Sequence, residues 1–193
     1  MKKFIIGITG ASGSIYGVRL IEELIKKDNE VYLVITNNGK KVLEYELEIN
    51  FEKWVENINK NKSLLRLYAI DDMFSSIASG SFKTDGMVIV PCSMGTLSKI
   101  STGLADNLLT RAADVMIKEK RKLILIPRET PLNSIHLQNM LILSNLNVLI
   151  IPPMPAFYER PKTIEDIVNI TVGRILLSLN IDSELQHQWG ELK

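Results

Sequence analysis

Short apolar runs alternate with segments of helical period along this chain, and that alternation narrows the possible folds more than any other feature. Lys3 to Ile8 and Val31 to Thr36 read as strands, while Ile15, Val18, Ile21, Leu24 and Ile25 between them recur at helical spacing. This is a β-α-β unit. The strand signal returns at Leu64 to Ile70, Gly86 to Val90, Leu123 to Ile126 and Val148 to Ile151, with helical segments near 106–119, 133–145 and 163–179. Strands joined through helices run parallel, so the pattern predicts an α/β domain with a single doubly wound, mostly parallel sheet, Rossmann-like or flavodoxin-like. The stretch from Lys40 to Lys62 is rich in Glu, Lys and Asn and predicts surface helix, and Ser75 to Ser81 predicts a loop near the site.

Two small-residue turns stand where predicted strands end: Gly10-Ala11-Ser12-Gly13, and Cys92-Ser93-Met94-Gly95-Thr96. Glycine lets the backbone turn sharply and approach a ligand, and the helix that follows presents unpaired N–H groups to an anion. Both turns together favour a phosphate-bearing ligand at the carboxyl edge of the sheet. The first reads Gly7-x-x-Gly10-x-x-Gly13 instead of G-x-G-x-x-G, and the next strand ends in Thr36-Asn37-Asn38 with no acid for a dinucleotide ribose. A mononucleotide such as FMN fits better than NAD, with Ser12 and Thr36 as candidate donors.

At 193 residues the chain predicts one domain over 1–193, with 180–193 a C-terminal tail. A hydrophobic fraction of 46%, a charged fraction of 23% and a net charge of +1 describe a soluble globular protein without a nucleic-acid footprint. Cys92 is the only cysteine, so no internal disulfide forms and a reducing, cytoplasmic setting is expected. The apolar run after Met1-Lys2-Lys3 breaks at Gly7, too soon for a signal segment or a membrane span, and Val148 to Ile151 runs directly into Pro152-Pro153-Met154-Pro155.

Arg128-Glu129 follows the strand Leu123 to Ile126, which places a guanidinium and a carboxyl at the edge where both turns lie. Lys118, Tyr158 and Arg174 are the other donors suited to a compact anion, which is best held by several cations and a hydroxyl. Arg174 falls at the margin of a helical face made by Ile164, Ile167, Val168, Thr171, Ile175 and Leu179. Prolines at 155 and 161 restrict the loop that carries Tyr158. Cys92 lacks a His-Asp or His-Asn partner pattern and reads as structural. His136 and His187 have no metal-ligand spacing, and Asp71-Asp72 reads as a turn or cap, so no metal is expected.

Thr9-Gly10-Ala11-Ser12-Gly13, Ala78-Ser79-Gly80-Ser81-Phe82, Pro91 to Leu97, Arg111 to Val115, Pro127 to Pro131 and Pro155 to Tyr158, in that order, resemble the flavin prenyltransferase (UbiX) family over nearly the whole chain. The resemblance implies a domain that binds reduced FMN and joins to its N5 and C6 a dimethylallyl group from dimethylallyl phosphate. The prenylated FMN so made serves a separate UbiD-type decarboxylase. Flavin contacts carry over to Gly10, Ala11, Ser12, Thr36, Ser93, Met94, Gly95, Thr96 and Arg111. The prenyl phosphate falls to Lys118, Arg128, Tyr158 and Arg174, and Glu129 and Glu46 match acidic positions. Proton-transfer roles among Ser12, Glu46 and Glu129 stay open. The resemblance also implies a homo-oligomer, often a dodecamer, with sites shared between subunits. Thr36 stands where serine is usual, Asn37-Asn38-Gly39 replaces a more helical stretch, and Trp189 matches a tail tryptophan of some members. The rival readings are a Cys-decarboxylase-type flavoprotein, whose early catalytic histidine is missing here, and a non-catalytic FMN carrier.

Overall fold

Nearly every side chain in residues 4–8, 30–35, 86–92 and 123–127 is buried, a state that a strand reaches only with both faces covered. The structure, a computed structural model, describes residues 1–60 and 62–185. Its strands are β1 (Lys3–Ile8), β2 (Glu30–Ile35), β3 (Leu65–Tyr68), β4 (Gly86–Cys92), β5 (Leu123–Pro127) and β6 (Leu149–Ile150). The helices are α1 (Ser14–Lys26), α2 (Asn37–Leu47), α3 (Phe51–Asn59), α4 (Met94–Ser101), α5 (Leu108–Lys118), α6 (Ser134–Asn145) and α7 (Ile164–Ser178). The sheet order is β3-β2-β1-β4-β5-β6 and each pairing is parallel, the order of a Rossmann-type doubly wound sheet.

Side chains that alternate along each strand divide between two cores. Phe4, Ile6 and Ile8 of β1 join Val88 and Val90 of β4 beneath α1 and α7. Ile5, Met87 and Ile89 point the other way, into a cluster with Leu97 of α4 and Leu109, Ala112 and Met116 of α5. Helix starts carry their own caps: Thr36 for α2, Ser93 for α4, and capping boxes at Asn107, Asn133 and Thr163 for α5, α6 and α7. α1 differs, because its cap residue Gly13 is left-handed (φ 109°) and offers no side chain.

The 40–62 stretch is helical but more than surface. It forms α2 and α3, which break at Glu48 to Asn50, and it buries Leu43 and Phe51 completely or nearly so. Part of the expected tail packs as well: Ile181 is in the core and Leu185 lies against it. His187 and Trp189 lie outside the described residues. Asp71 and Asp72 sit in a turn, where the Asp72 carboxylate accepts from the Phe74 amide (3.3 Å). Among the described residues no helix is long and apolar enough to cross a membrane.

The order matters for function. β1 and β4 are central neighbours whose following connections leave toward opposite faces, so their carboxyl ends flank a crevice.

Candidate active site

Thr9, 1% exposed, joins the two turns at that crevice. Its hydroxyl donates to the Pro91 carbonyl (2.8 Å) and accepts from the Ser93 amide (2.8 Å), so one buried side chain sets the spacing of both turns. Reading the sequence missed this role, for which a hydroxyl at a strand end was the only signal. Gly10 allows α2 to approach: a Cβ there would lie 2.9 Å from the Asn38 Cβ.

Between the turns lies an open cleft of about 550 Å³, lined by Thr9, Gly10, Thr36, Asn37, Asn38, Ile70, Ser93, Gly95, Thr96, Lys99 and Asn107. Thr36 Oγ1 accepts from the Gly39 amide (3.0 Å) and Ser93 Oγ from the Thr96 amide (3.3 Å), so both hydroxyls cap helices at the cleft wall. The first turn of α4 is open, with no atom within 4 Å of where a Gly95 Cβ would stand. Lys99 at the rim pairs with Asp106 (2.6 Å). Asn38, Lys99 and Asn107 are lining residues that sequence reasoning did not single out. Met94 and Ala11 are buried and outside this lining, Met94 in the core.

The start of α1 is already occupied by an anion. Glu46 accepts from the amides of Gly13 (3.0 Å) and Ser14 (2.9 Å) and from the Ser12 hydroxyl. Burial pushes the Glu46 carboxyl up, but the Ser12, Ser14 and Gly13 hydrogen bonds together outweigh it and hold the group below its ordinary value. From the sequence, these amides were available to a ligand phosphate. They go to Glu46 because α2 packs on α1 and lays a carboxylate on the positive end of that helix. At α4 the cap is its own Ser93, and space remains beside Gly95.

Arg128 reaches the same place, with Nε donating to the Ser12 carbonyl (3.3 Å). Its neighbour Glu129 turns away and accepts from the Thr130 amide (3.0 Å), so the two side chains face different groups. A second cleft, about 320 Å³, is lined by Ile151, Pro152, Met154, Ala156, Tyr158, Ile170, Thr171 and Arg174. Tyr158 and Arg174, on different elements, therefore line one cleft. Tyr16 links this cleft to the first turn: its ring edge would touch a Gly13 Cβ at 3.1 Å and its hydroxyl bonds the Thr171 side chain. Burial raises the Tyr16 pKa, with the Thr171 bond opposing it, so the hydroxyl stays protonated.

Two of the expected residues stand apart. Arg111 donates from Nε to the Ala78 carbonyl (3.2 Å) and pairs with Asp114 (2.7 Å), facing the 76–78 loop. Lys118 ends α5, about 16 Å of helix beyond the cleft residue Asn107. It pairs with Glu119 beside Gly80, toward the amino edge of the sheet, where Met87 bonds the Lys122 carbonyl. Cys92 is fully buried and its thiol pKa is pushed far up by burial, which removes it as a nucleophile at neutral pH. Among the described residues no group of His, Cys, Asp and Glu is arranged to hold a metal ion.

The flavoprotein family model matches residues 1–176. A flavin prenyltransferase UbiX from Methanocaldococcus jannaschii is 51% identical over 188 residues, covering 97% of this chain and 98% of its own. The chain belongs to the flavin prenyltransferase family. Among solved structures, a UbiX protein in complex with FMN and dimethylallyl pyrophosphate superposes with a TM-score of 0.92 at 36% identity, covering 100% of this chain and 99% of its own. A dodecameric FMN-dependent UbiX-like decarboxylase from Escherichia coli O157:H7 superposes at 0.90 with 42% identity, covering 97% and 98%.

The larger cleft suits the flavin that this family uses. Its volume is in the range of small-ligand sites, hydroxyls and amides from Thr36, Asn38, Ser93 and Thr96 surround it, and Ile70 adds an apolar wall. The space beside Gly95 leaves room for a ligand at the first turn of α4, where no carboxylate of the chain is bound as Glu46 is at α1 among the described residues.

Proposed function

We infer that the chain transfers a dimethylallyl group from dimethylallyl phosphate to reduced FMN, giving prenylated FMN. The observation that carries this reading is the pair of clefts that Tyr16 links through Gly13 and Thr171, one lined by Gly10 and the hydroxyls of Thr36, Ser93 and Thr96, the other by Tyr158, Arg174 and apolar side chains. Reduced FMN, when bound, supplies the nucleophilic N5 and C6. Gly10, Thr36, Ser93, Gly95 and Thr96 hold it in the larger cleft, with Ala11, Ser12 and Met94 shaping the turns and Arg111 securing the neighbouring loop.

Arg174 and Tyr158 take the phosphate, and Arg128 adds charge from the first turn, so that the leaving group departs onto fixed donors. Ile151, Pro152, Met154 and Ala156 exclude water from the allylic end. Glu46, kept ionised, orients the Ser12 hydroxyl toward itself and leaves the Ser12 lone pairs to accept at the flavin. Glu129 at its exposed loop position is suited to exchange protons with the departing phosphate. Lys118 reaches a phosphate only from a neighbouring copy, which accords with a homo-oligomer, dodecameric like the Escherichia coli neighbour.

The whole chain acts as one FMN-binding unit in the cytoplasm, and its product goes to a UbiD-type decarboxylase. The deciding experiment is anaerobic incubation with reduced FMN and either dimethylallyl phosphate or its diphosphate, followed by mass analysis of the extracted flavin. A prenyl-sized gain in mass is expected with the monophosphate. Bound flavin of unchanged mass with both donors would establish the carrier reading instead.

A further inference from the structure

Among the described residues that line the larger cleft, Lys99 alone carries a charge; the rest offer hydroxyls, amides, glycines and one isoleucine. It follows Gly95 by four residues and Thr96 by three on α4, a spacing that sets all three on one side of the helix. A helical side chain leans toward the helix start, so the Lys99 stem runs back over the first turn. Gly95 puts no side chain in its way, and no atom lies within 4 Å of where a Gly95 Cβ would stand. The Lys99 Nζ is held instead by Asp106 (2.6 Å), and the two side chains are 40 and 41% exposed. That bond keeps the Asp106 carboxyl below its ordinary value, and therefore ionised at neutral pH. Asp106 is the fixed partner, because its other oxygen accepts from Asn107 Nδ2 (3.0 Å) and the Thr110 hydroxyl (3.4 Å). Lys99, a point charge on a flexible stem in a half-exposed pair, is the one able to change partner.

We propose that Lys99 recognises the phosphate of FMN, passing to it from Asp106 when the flavin enters, an inference that rests on the FMN reading above. The phosphate is the group of oxidised FMN that bears charge, and a dianion attracts a lysine more strongly than one carboxylate does. The arginines near the cleft are engaged elsewhere: Arg111 with the Ala78 carbonyl and Asp114, Arg128 with the Ser12 carbonyl. Because FMN is a substrate here, its product has to leave. Asp106 gives Lys99 a partner to return to, so the cleft selects a phosphorylated flavin without retaining it.

The test titrates the wild type, Lys99→Gln, Lys99→Arg and Asp106→Asn with oxidised FMN and with riboflavin, which lacks the phosphate, by flavin fluorescence. Lys99→Gln is expected to weaken FMN about tenfold, Lys99→Arg to restore most of that loss, and Asp106→Asn to tighten FMN about threefold. Riboflavin affinity should stay within about twofold of wild type in all three, which also shows that the cleft is intact. Added salt should weaken FMN more in the wild type than in Lys99→Gln. Wild-type FMN affinity in Lys99→Gln, or an equal loss of riboflavin, would overturn the proposal and leave the flavin cleft in place. Asp106→Asn that fails to tighten FMN would refute the exchange of partners. A wild type that binds neither flavin would overturn the FMN reading itself, and this inference with it.

Discussion

Glu46→Ala removes the anion that caps α1, and the consequence follows from the local bonds. Two backbone amides and one hydroxyl lose a carboxylate acceptor, and Gly13 has no side chain to replace it. Fully buried amide-to-carboxylate bonds contribute about 1.5–3 kcal/mol each. Glu46 is only partly buried, so water recovers part of what the amides lose, and the net cost is close to that of a helix N-cap, about 1–2 kcal/mol. For a chain of this length that lowers Tm by about 2–8 °C.

The pH dependence has a definite sign. The folded pKa of Glu46 is depressed, so its stabilisation is complete above the ordinary carboxylate value and is lost as pH falls through the folded one. Thermal unfolding followed by circular dichroism from about pH 7 to about pH 3 should show the gap between wild type and Glu46→Ala shrinking in acid. A wild-type Tm in the variant at neutral pH, or a gap that persists unchanged in acid, would refute the capping role.

Thr9→Val leaves the part-buried Ser93 amide without its acceptor and should cost about 1–3 kcal/mol in chemical denaturation while weakening FMN binding; unchanged stability would show that the turns need no staple. Arg174→Ala and Tyr158→Phe should lower kcat/KM for dimethylallyl phosphate by about 10- to 150-fold, from 1.5–3 kcal/mol per charge-assisted bond, while flavin titration is unaltered. Equal loss of flavin in both variants would move these residues to the flavin site. Glu129→Gln should keep flavin binding and slow product formation by about 100-fold, and wild-type turnover would remove it from proton transfer. Turnover with dimethylallyl phosphate should survive exhaustive EDTA treatment, since Arg128, Tyr158 and Arg174 supply fixed donors to a monophosphate; abolition with rescue by Mg2+ would show that a metal carries that charge.

Several residues that line the larger cleft were legible because they follow from local pattern. Gly10, Thr36, Ser93, Gly95 and Thr96 all stand at strand ends or helix starts, and chain order alone puts such positions at one edge of a parallel sheet. Thr9 escaped notice because its function is a bond to a carbonyl 82 residues away. Lys118 reads as one of the cations suited to a compact anion, yet α5 runs back from the cleft and carries its last turn to the other end of the sheet. The 40–62 stretch reads as surface from its charges, although every few residues an apolar side chain such as Leu43 or Phe51 turns inward.

By itself the sequence determined the kind of elements, their parallel winding and the edge at which the two small-residue turns lie, because periods of 2 and 3.6 and the chemistry of turns are properties of neighbouring residues. The tertiary structure decided which groups face one another across that edge. It gave the α1 amides to Glu46, set Tyr158 and Arg174 on one cleft, parted Lys118 from both and turned Leu137 and Leu141 of α6 outward. The physical reason is that hydrogen-bond satisfaction and burial are settled between surfaces brought together by packing, and no local period records which surfaces those are.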